Sequence, residues 1–151
     1  RVMEHFVAFE GTKQILAQGD TKSSIRVHDA FQVDLRVVPE ASWGAALQYF
    51  TGSKEHNVVL RSAAKKSGLK INEYGVYKID DENQPIAGAT EEEVYRVCGH
   101  AWIAPEFREN RFEWADDFDV RQKKIVKLSD ICGDLHMHTT ASDGEQSIEQ
   151  M

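Results

Sequence analysis

The sequence predicts an α+β fold, and three observations predict it. Apolar and polar residues alternate over Phe31-Gln32-Val33-Asp34-Leu35-Arg36-Val37, the period of a strand. Side chains from Lys54 to Ser67 instead recur at the helical spacing. Thr90, followed three residues later by Glu93, is the signature of a helix start.

Element by element, Val2 to Phe9 is expected to be helical. Thr21 to Val27 and Phe31 to Val38 read as strands joined by a turn at His28-Asp29-Ala30. Ser42 to Phe50 follows as a helix that Gly52 breaks, and Lys54 to Ser67 as a second helix ending at Gly68, a left-handed C-cap position. Asn72 to Ile79 looks extended and Asp80 to Pro85 is a turn. Thr90 then caps a helix, with Glu93 completing a capping box, and Ile131 to His138 alternates as a strand. The sequence contains no internal repeat and no low-complexity tract.

The chain has 151 residues, enough for one ordinary domain or two small ones with a genuine core. Hydrophobic residues at 41% and charged residues at 28% exclude wholesale disorder and fibrous repeats. Cys98 and Cys132 lie far apart without CxxC spacing, so neither a disulfide framework nor a zinc knuckle is written, and a reducing cytosol is the expected setting. Apolar runs such as Phe6-Val7-Ala8-Phe9 fall far short of a membrane span or signal segment, so a soluble, cytoplasmic protein without a membrane partner is expected. The chain starts at Arg1 and stops at Met151 inside a motif, which reads as a piece of a longer protein.

The net charge of -7 argues against a uniformly basic nucleic-acid coat but not against a local basic face. From Thr51 to Gly75, five basic residues oppose two acidic ones, giving +3, whereas from Val76 to Asp119 four oppose twelve, giving -8. A short basic stretch, Arg121-Gln122-Lys123-Lys124, reads as a linker or solvated loop.

Three constellations are candidates for chemistry. Gln32, Asp34 and Arg36 share the polar face of their strand. Asp34 is either a solvated acid, alone or paired with Arg36, or a carboxylate ligand for a hard cation such as Mg²⁺. On the next candidate, Lys54, Asn57, Arg61 and Lys65 fall in one helical stripe, with Val59, Leu60 and Ala63 opposite. That stripe is either a solvated helix face or a nucleotide and phosphate site. Tyr49-Phe50-Thr51-Gly52-Ser53 just before it supports the second reading, because it places aromatics and a glycine turn at a helix N-terminus. In the third, Asp134, His136 and His138 alternate to one strand face and Asp143 follows, a spacing that suits metal ligation although a complete site needs three or four ligands.

Together, Gln32-Val33-Asp34-Leu35-Arg36-Val37-Val38-Pro39, Tyr49-Phe50-Thr51-Gly52-Ser53, Asn57, Arg61 and Lys70-Ile71-Asn72-Glu73-Tyr74 resemble the family X DNA polymerases. Gly133-Asp134-Leu135-His136-Met137-His138-Thr139 with Ser142-Asp143-Gly144 resembles the opening of a PHP-type metal-dependent phosphoesterase domain. In that order they are similar to bacterial and archaeal family X polymerases with a C-terminal PHP domain, over nearly the whole chain. The resemblance implies the C-terminal part of a palm sheet with helices at 1–50 and a small mixed α/β nucleotide-binding subdomain, called thumb or fingers, at 51–118. It also implies a linker at 119–133 and the first strand and metal motif of a truncated PHP domain at 134–151.

Residue by residue, the resemblance implies that Asp34 is the third palm carboxylate, associated with activating the primer 3'-hydroxyl, and that Arg36 orients it. Tyr49 and Phe50 would lie near the incoming sugar, and Gly52-Ser53 would form the bend between helices, where this family can hold a cis peptide. Asn57 would contact the minor-groove edge of the incoming base, Arg61 the template strand, and Lys22 the DNA near the palm, with Lys54 and Lys65 on the same basic helix. His136, His138 and Asp143 would be the first ligands of a PHP cluster, taking Zn or Mn, while Asp34 would serve Mg. The implied partners are a DNA primer-template and a dNTP, the implied reaction is templated nucleotide addition in DNA repair, and the chain is expected to be a monomer.

The sequence also departs from the family pattern. Two further carboxylates belong to an earlier strand, so the isolated chain is expected to be inactive. Ala104-Pro105-Glu106-Phe107-Arg108 stands where a double proline and leucine are usual, and Cys98-Gly99-His100-Ala101 is unusual, differences that bear on packing rather than chemistry. The competing readings are a non-catalytic DNA- or nucleotide-binding module, and a parent whose main activity is a PHP phosphoesterase or 3'-5' exonuclease.

Overall fold

The computed structural model describes residues 1–28, 31–118, 125–134 and 136–151. It divides into two compact units, Arg1–Phe118 and Asp119–Met151. The expected turn at His28-Asp29-Ala30 falls partly, and the basic stretch 121–124 wholly, outside the described residues.

The first unit begins with a short helix, α1 (Val2–Val7), and three antiparallel strands, β1 (Thr12–Gln18), β2 (Lys22–Val27) and β3 (Phe31–Arg36), in the order β1-β2-β3. Asp34 stands opposite Ser24 and Arg36 opposite Lys22, so the polar residues of β3 share a face with those of β2. Ile25, Val33 and Leu35 line a groove with Phe6 and Phe9 on the other side. β1 carries no apolar alternation and is irregular at two points of its register, which is why sequence periodicity missed it.

After a 3-10 turn at Glu40–Ser42 come α2 (Trp43–Phe50) and α3 (Lys54–Lys66), then a hairpin of β4 (Leu69–Asn72) and β5 (Gly75–Lys78), and α4 (Glu91–Val97). The segment expected to be extended, Asn72 to Ile79, therefore holds the turn at Glu73-Tyr74 and β5, with β4 unforeseen ahead of it, and Asn72 Oδ1 accepts the Tyr74 N–H at 2.8 Å. Gly68, with φ +72°, ends α3 as expected. Ser53 Oγ accepts the His56 N–H at 3.1 Å and Thr90 Oγ1 accepts the Glu93 N–H at 3.2 Å, so both helix starts carry side-chain caps.

The core joins α2, α3, α4 and the hairpin through Ala45, Leu60, Ala64, Ile71, Val76, Val94, Tyr95 and Ile103. Gly44 lies so close to the Thr90 backbone that a Cβ would overlap it, while the Gly44 and Ala45 N–H groups donate to the carbonyls of Ala89 and Gly88 at 3.1 and 2.8 Å. The buried face of α3 is His56, Leu60 and Ala64, rotated from the expected Val59, Leu60 and Ala63. The rotation follows from His56, a polar residue that hydropathy assigns to the surface but that has partners inside.

In the second unit the expected strand over Ile131 to His138 does not form among the described residues, which are irregular apart from a 3-10 turn at Leu128–Asp130. A strand needs a neighbour to satisfy its backbone, and none of the described residues there pairs with it. No helix among the described residues is long and apolar enough to cross a membrane.

Candidate functional site

Asp34 projects from the polar face of β3 and accepts from Gln32 Nε2 at 3.1 Å. Hydrogen bonds from Ser24 and Gln32, aided by Lys22 and Arg36 nearby, hold its carboxyl below the ordinary carboxylate range. Lys22 and Arg36, expected to meet DNA and to orient the acid, thus lie on the same face. Arg36 differs from expectation in one respect: its Nη1 donates to Glu73 Oε1 at 3.0 Å and its guanidinium lies 5.3 Å from the Phe50 ring centroid. Residues two apart on a strand are separated by nearly 7 Å of rise. The long side chain therefore reaches the facing hairpin and helix rather than Asp34, and acts on the acid through its charge.

The junction of α2 and α3 gathers the predicted nucleotide residues. Tyr49 and Phe50 close α2 as an edge-to-face pair with centroids 5.0 Å apart, and Phe50 is 54% exposed. Gly52 has φ +110°, and a Cβ there would meet the Arg108 side chain at 2.7 Å, so glycine is required for packing as well as for the bend. The peptides of the described chain are all trans, including the Gly52-Ser53 bend. Ser53 caps α3 and its N–H donates to the Arg108 carbonyl at 2.8 Å. Asn57, on the edge of the buried face, accepts from Gln48 Nε2 at 2.6 Å and donates Nδ2 to the Tyr49 carbonyl at 3.1 Å.

Beyond Asn57, α3 turns its cations outward. Lys54, Arg61 and Lys65 are exposed, and Arg61 and Lys65 border an open groove of about 430 Å³ between α3 and the hairpin. Val58, Ile71 and Ile79 supply its apolar lining, and Lys70 bonds Glu82 at 2.6 Å on its rim. The groove is thus largely apolar, with Arg61 and Lys65 on one wall and the Lys70–Glu82 pair on the other.

Beneath the junction lies a buried polar layer that sequence reasoning missed. Arg108, fully buried, grips Glu91 with Nη1 to Oε1 at 2.7 Å and Nη2 to Oε2 at 3.0 Å, and its Nε donates to the Ile103 carbonyl at 2.9 Å. His56 Nδ1 contacts Glu113 Oε1 at 3.0 Å, its Nε2 contacts the Tyr95 hydroxyl at 2.8 Å, and Trp114 stacks on its ring at 4.7 Å. Burial pushes His56 below its ordinary value and Tyr95 up to about 12. Burial raises Glu113, but hydrogen bonds from His56 and from backbone N–H groups outweigh it and leave the carboxyl below its usual range.

In the second unit, His138 Nδ1 and Asp143 Oδ1 are 2.6 Å apart, a bond that holds the exposed Asp143 carboxyl below its usual range. The His136 and His138 ring centroids lie 5.3 Å apart, while Asp134 accepts its neighbour's backbone, the His136 N–H, at 3.0 Å. Among the described residues no three of His, Cys, Asp or Glu converge as a metal site, either here or around Asp34. A lone carboxylate does not hold a divalent cation in water against its hydration shell, so the described residues around Asp34 do not by themselves make a metal site.

Residues 46–109 match the DNA polymerase beta thumb. Over 152 aligned residues the chain is 38% identical to the DNA polymerase/3'-5' exonuclease PolX of Bacillus subtilis, covering 99% of this chain and 26% of that protein. The repair DNA polymerase X of African swine fever virus, isolate Tick/South Africa/Pretoriuskop Pr4/1996, is 29% identical over 80 residues, 53% of this chain and 45% of that protein. The chain thus spans about a quarter to a half of the length of these relatives. Leishmania infantum polymerase beta, in a ternary P/T complex, superposes with a TM-score of 0.61 at 27% identity over 72% of this chain and 53% of that one. The chain is therefore homologous to the family X DNA polymerases, and residues 46–109 are the part that matches their thumb.

Proposed function

We propose that this chain is the part of a family X DNA polymerase that carries one palm carboxylate and the surface receiving the nucleotide and template, acting with Mg²⁺ in DNA repair in the cytoplasm. The observation that supports it best is the reach of Arg36 from the strand of Asp34 to Glu73 and Phe50. It ties the acid's sheet to the junction that presents Tyr49, Phe50 and Asn57. On this reading residues 1–50 are the palm part, 51–118 the thumb or fingers, 119–133 a linker and 134–151 the opening of a PHP domain.

Asp34 serves as one ligand of the catalytic cations, the other acids coming from outside these 151 residues. Its low pKa keeps it an anion at neutral pH. Tyr49 and Phe50 offer flat apolar faces to the sugar, Asn57 an amide to the base edge, and Gly52-Ser53 the bend that holds the two helices at that spacing. Lys22, Lys54, Arg61 and Lys65 neutralise primer-template phosphates. For the second unit, His136, His138 and Asp143 are proposed as the first ligands of a PHP cluster taking Zn or Mn. The 3'-5' exonuclease in the name of the Bacillus relative, whose similarity extends over this segment, favours that second activity for the parent.

The test is binding of a primer-template by fluorescence anisotropy across a salt series. Each neutralised phosphate contributes a slope of about -0.9 in log K against log salt. Arg61→Ala and Lys65→Ala are each expected to flatten the slope by about that amount. Salt-independent binding, or slopes untouched by both substitutions, would overturn the assignment.

A further inference from the structure

The chain continues past the residues that match the thumb, and its next segment stays within the first unit: residues 110–118 follow the matched 46–109 and end at the unit's last residue, Phe118. This strap lies against the first turn of α3. Phe118 is buried in the core, edge-on to Phe107 with centroids 5.2 Å apart, and Trp114 stacks on the His56 ring at 4.7 Å. Glu113 supplies the polar hold. Its carboxylate accepts the strap's own Asn110 N–H at 2.5 Å and Arg111 N–H at 2.7 Å, and it meets His56 Nδ1 of α3 at 3.0 Å.

Hydrogen counting decides which form of His56 fits there. The Glu113 anion only accepts, so Nδ1 carries a hydrogen, and Nε2 offers its lone pair to the buried Tyr95 hydroxyl of α4 at 2.8 Å. The neutral ring satisfies both partners. A second ring hydrogen would confront the Tyr95 hydrogen and bring a positive charge into a place where both the His56 and Glu113 side chains are 0% exposed. Of the charged groups around the ring, Glu113 favours that proton, while Arg108, held by Glu91, and His100 oppose it. Burial is the larger effect and keeps the imidazole below its ordinary value. We propose that residues 110–118 are a latch over the start of α3 whose catch is the His56–Glu113 bond, and that a proton added to His56 opens it. With the strap lifted, the ring is solvated and takes up a proton as an ordinary histidine does, so the open form binds the proton more tightly. The latch therefore holds fully above about pH 6.5 and weakens as the pH falls below that value.

Amide hydrogen exchange on the 151-residue chain, followed by NMR with each rate divided by the intrinsic rate at that pH, tests this. The Asn110 and Arg111 amides are bonded directly to Glu113, so their protection reports the latch. Below about pH 6.5 that protection is expected to fall by up to about tenfold per pH unit, the response to one proton, while the Leu60 and Ala64 amides farther along α3 keep theirs. In His56→Phe the pH dependence is expected to vanish whether the latch is then closed or open, and in His100→Phe it is expected to persist. Protection independent of pH in the unaltered chain, a slope that survives His56→Phe, or one that is lost in His100→Phe overturns the proposal. A parallel fall at Leu60 and Ala64 overturns it as well, because the whole fold and not the latch then answers the proton. Should His56→Phe fail to fold, side-chain ¹⁵N NMR of the unaltered chain decides the matter. Its His56 ring is expected to be the neutral Nδ1–H tautomer at pH 7, and a ring that titrates at or above about pH 6.5 overturns the latch.

Discussion

At the scale of single residues, the side chains that matter most to stability are not those that the motifs mark. Asp34, Tyr49, Phe50 and Asn57 stand out because acid, aromatic and amide groups at that spacing imply chemistry. Arg108 and Glu91 do not, since a charged residue in isolation reads as surface. Yet Arg108 is fully buried and satisfies two carboxylate oxygens and the Ile103 and Thr51 carbonyls. Replacing it leaves Glu91 with an uncompensated charge beside the core. Arg108→Met is expected to lower the unfolding free energy by about 3–5 kcal/mol in urea titrations. Adding Glu91→Gln should recover part of that loss, and a single variant as stable as the parent would show that the pair carries no structural weight.

Among elements, local signals placed most helices and misplaced what depends on neighbours. Thr90 caps its helix as its sequence position predicts, because a cap needs only the next three residues, and Ser53, read from the sequence as part of a bend, caps α3 in the same way. Ser53→Ala and Thr90→Ala are each expected to cost about 0.5–2 kcal/mol, read as a lowered urea midpoint with unchanged slope. The inward face of α3 was less legible. Hydropathy points to Val59 and Ala63, whereas the structure buries His56, which Glu113 and Tyr95 supply with partners from 57 and 39 residues away. β1 lacked a signal for a related reason: its residues beyond Thr12 are exposed, so nothing selects alternation along it.

For the whole molecule, the net charge of -7 conceals a basic helix beside an acidic segment, and Lys54, Arg61 and Lys65 of that helix are exposed along one stripe. The division at Phe118 has a thermodynamic consequence, since the principal core lies within residues 45–118. A chain ending at Phe118 is expected to keep a single cooperative thermal transition within a few degrees of the 151-residue protein; loss of that transition would mean that the second unit supports the first. What the sequence determined by itself is the α+β class, the capped helices, the resemblance to a polymerase family and the residues placed at the α2–α3 junction. These follow from periodicity and from residue types at short spacing, which are local properties. Only the tertiary structure decided that Arg36 turns to Glu73, that Gly52 is needed against Arg108, and that His56 is buried between Glu113 and Tyr95. Each of these is a contact between distant segments, and whether a polar group is surface or interior depends on the partner that folding brings to it.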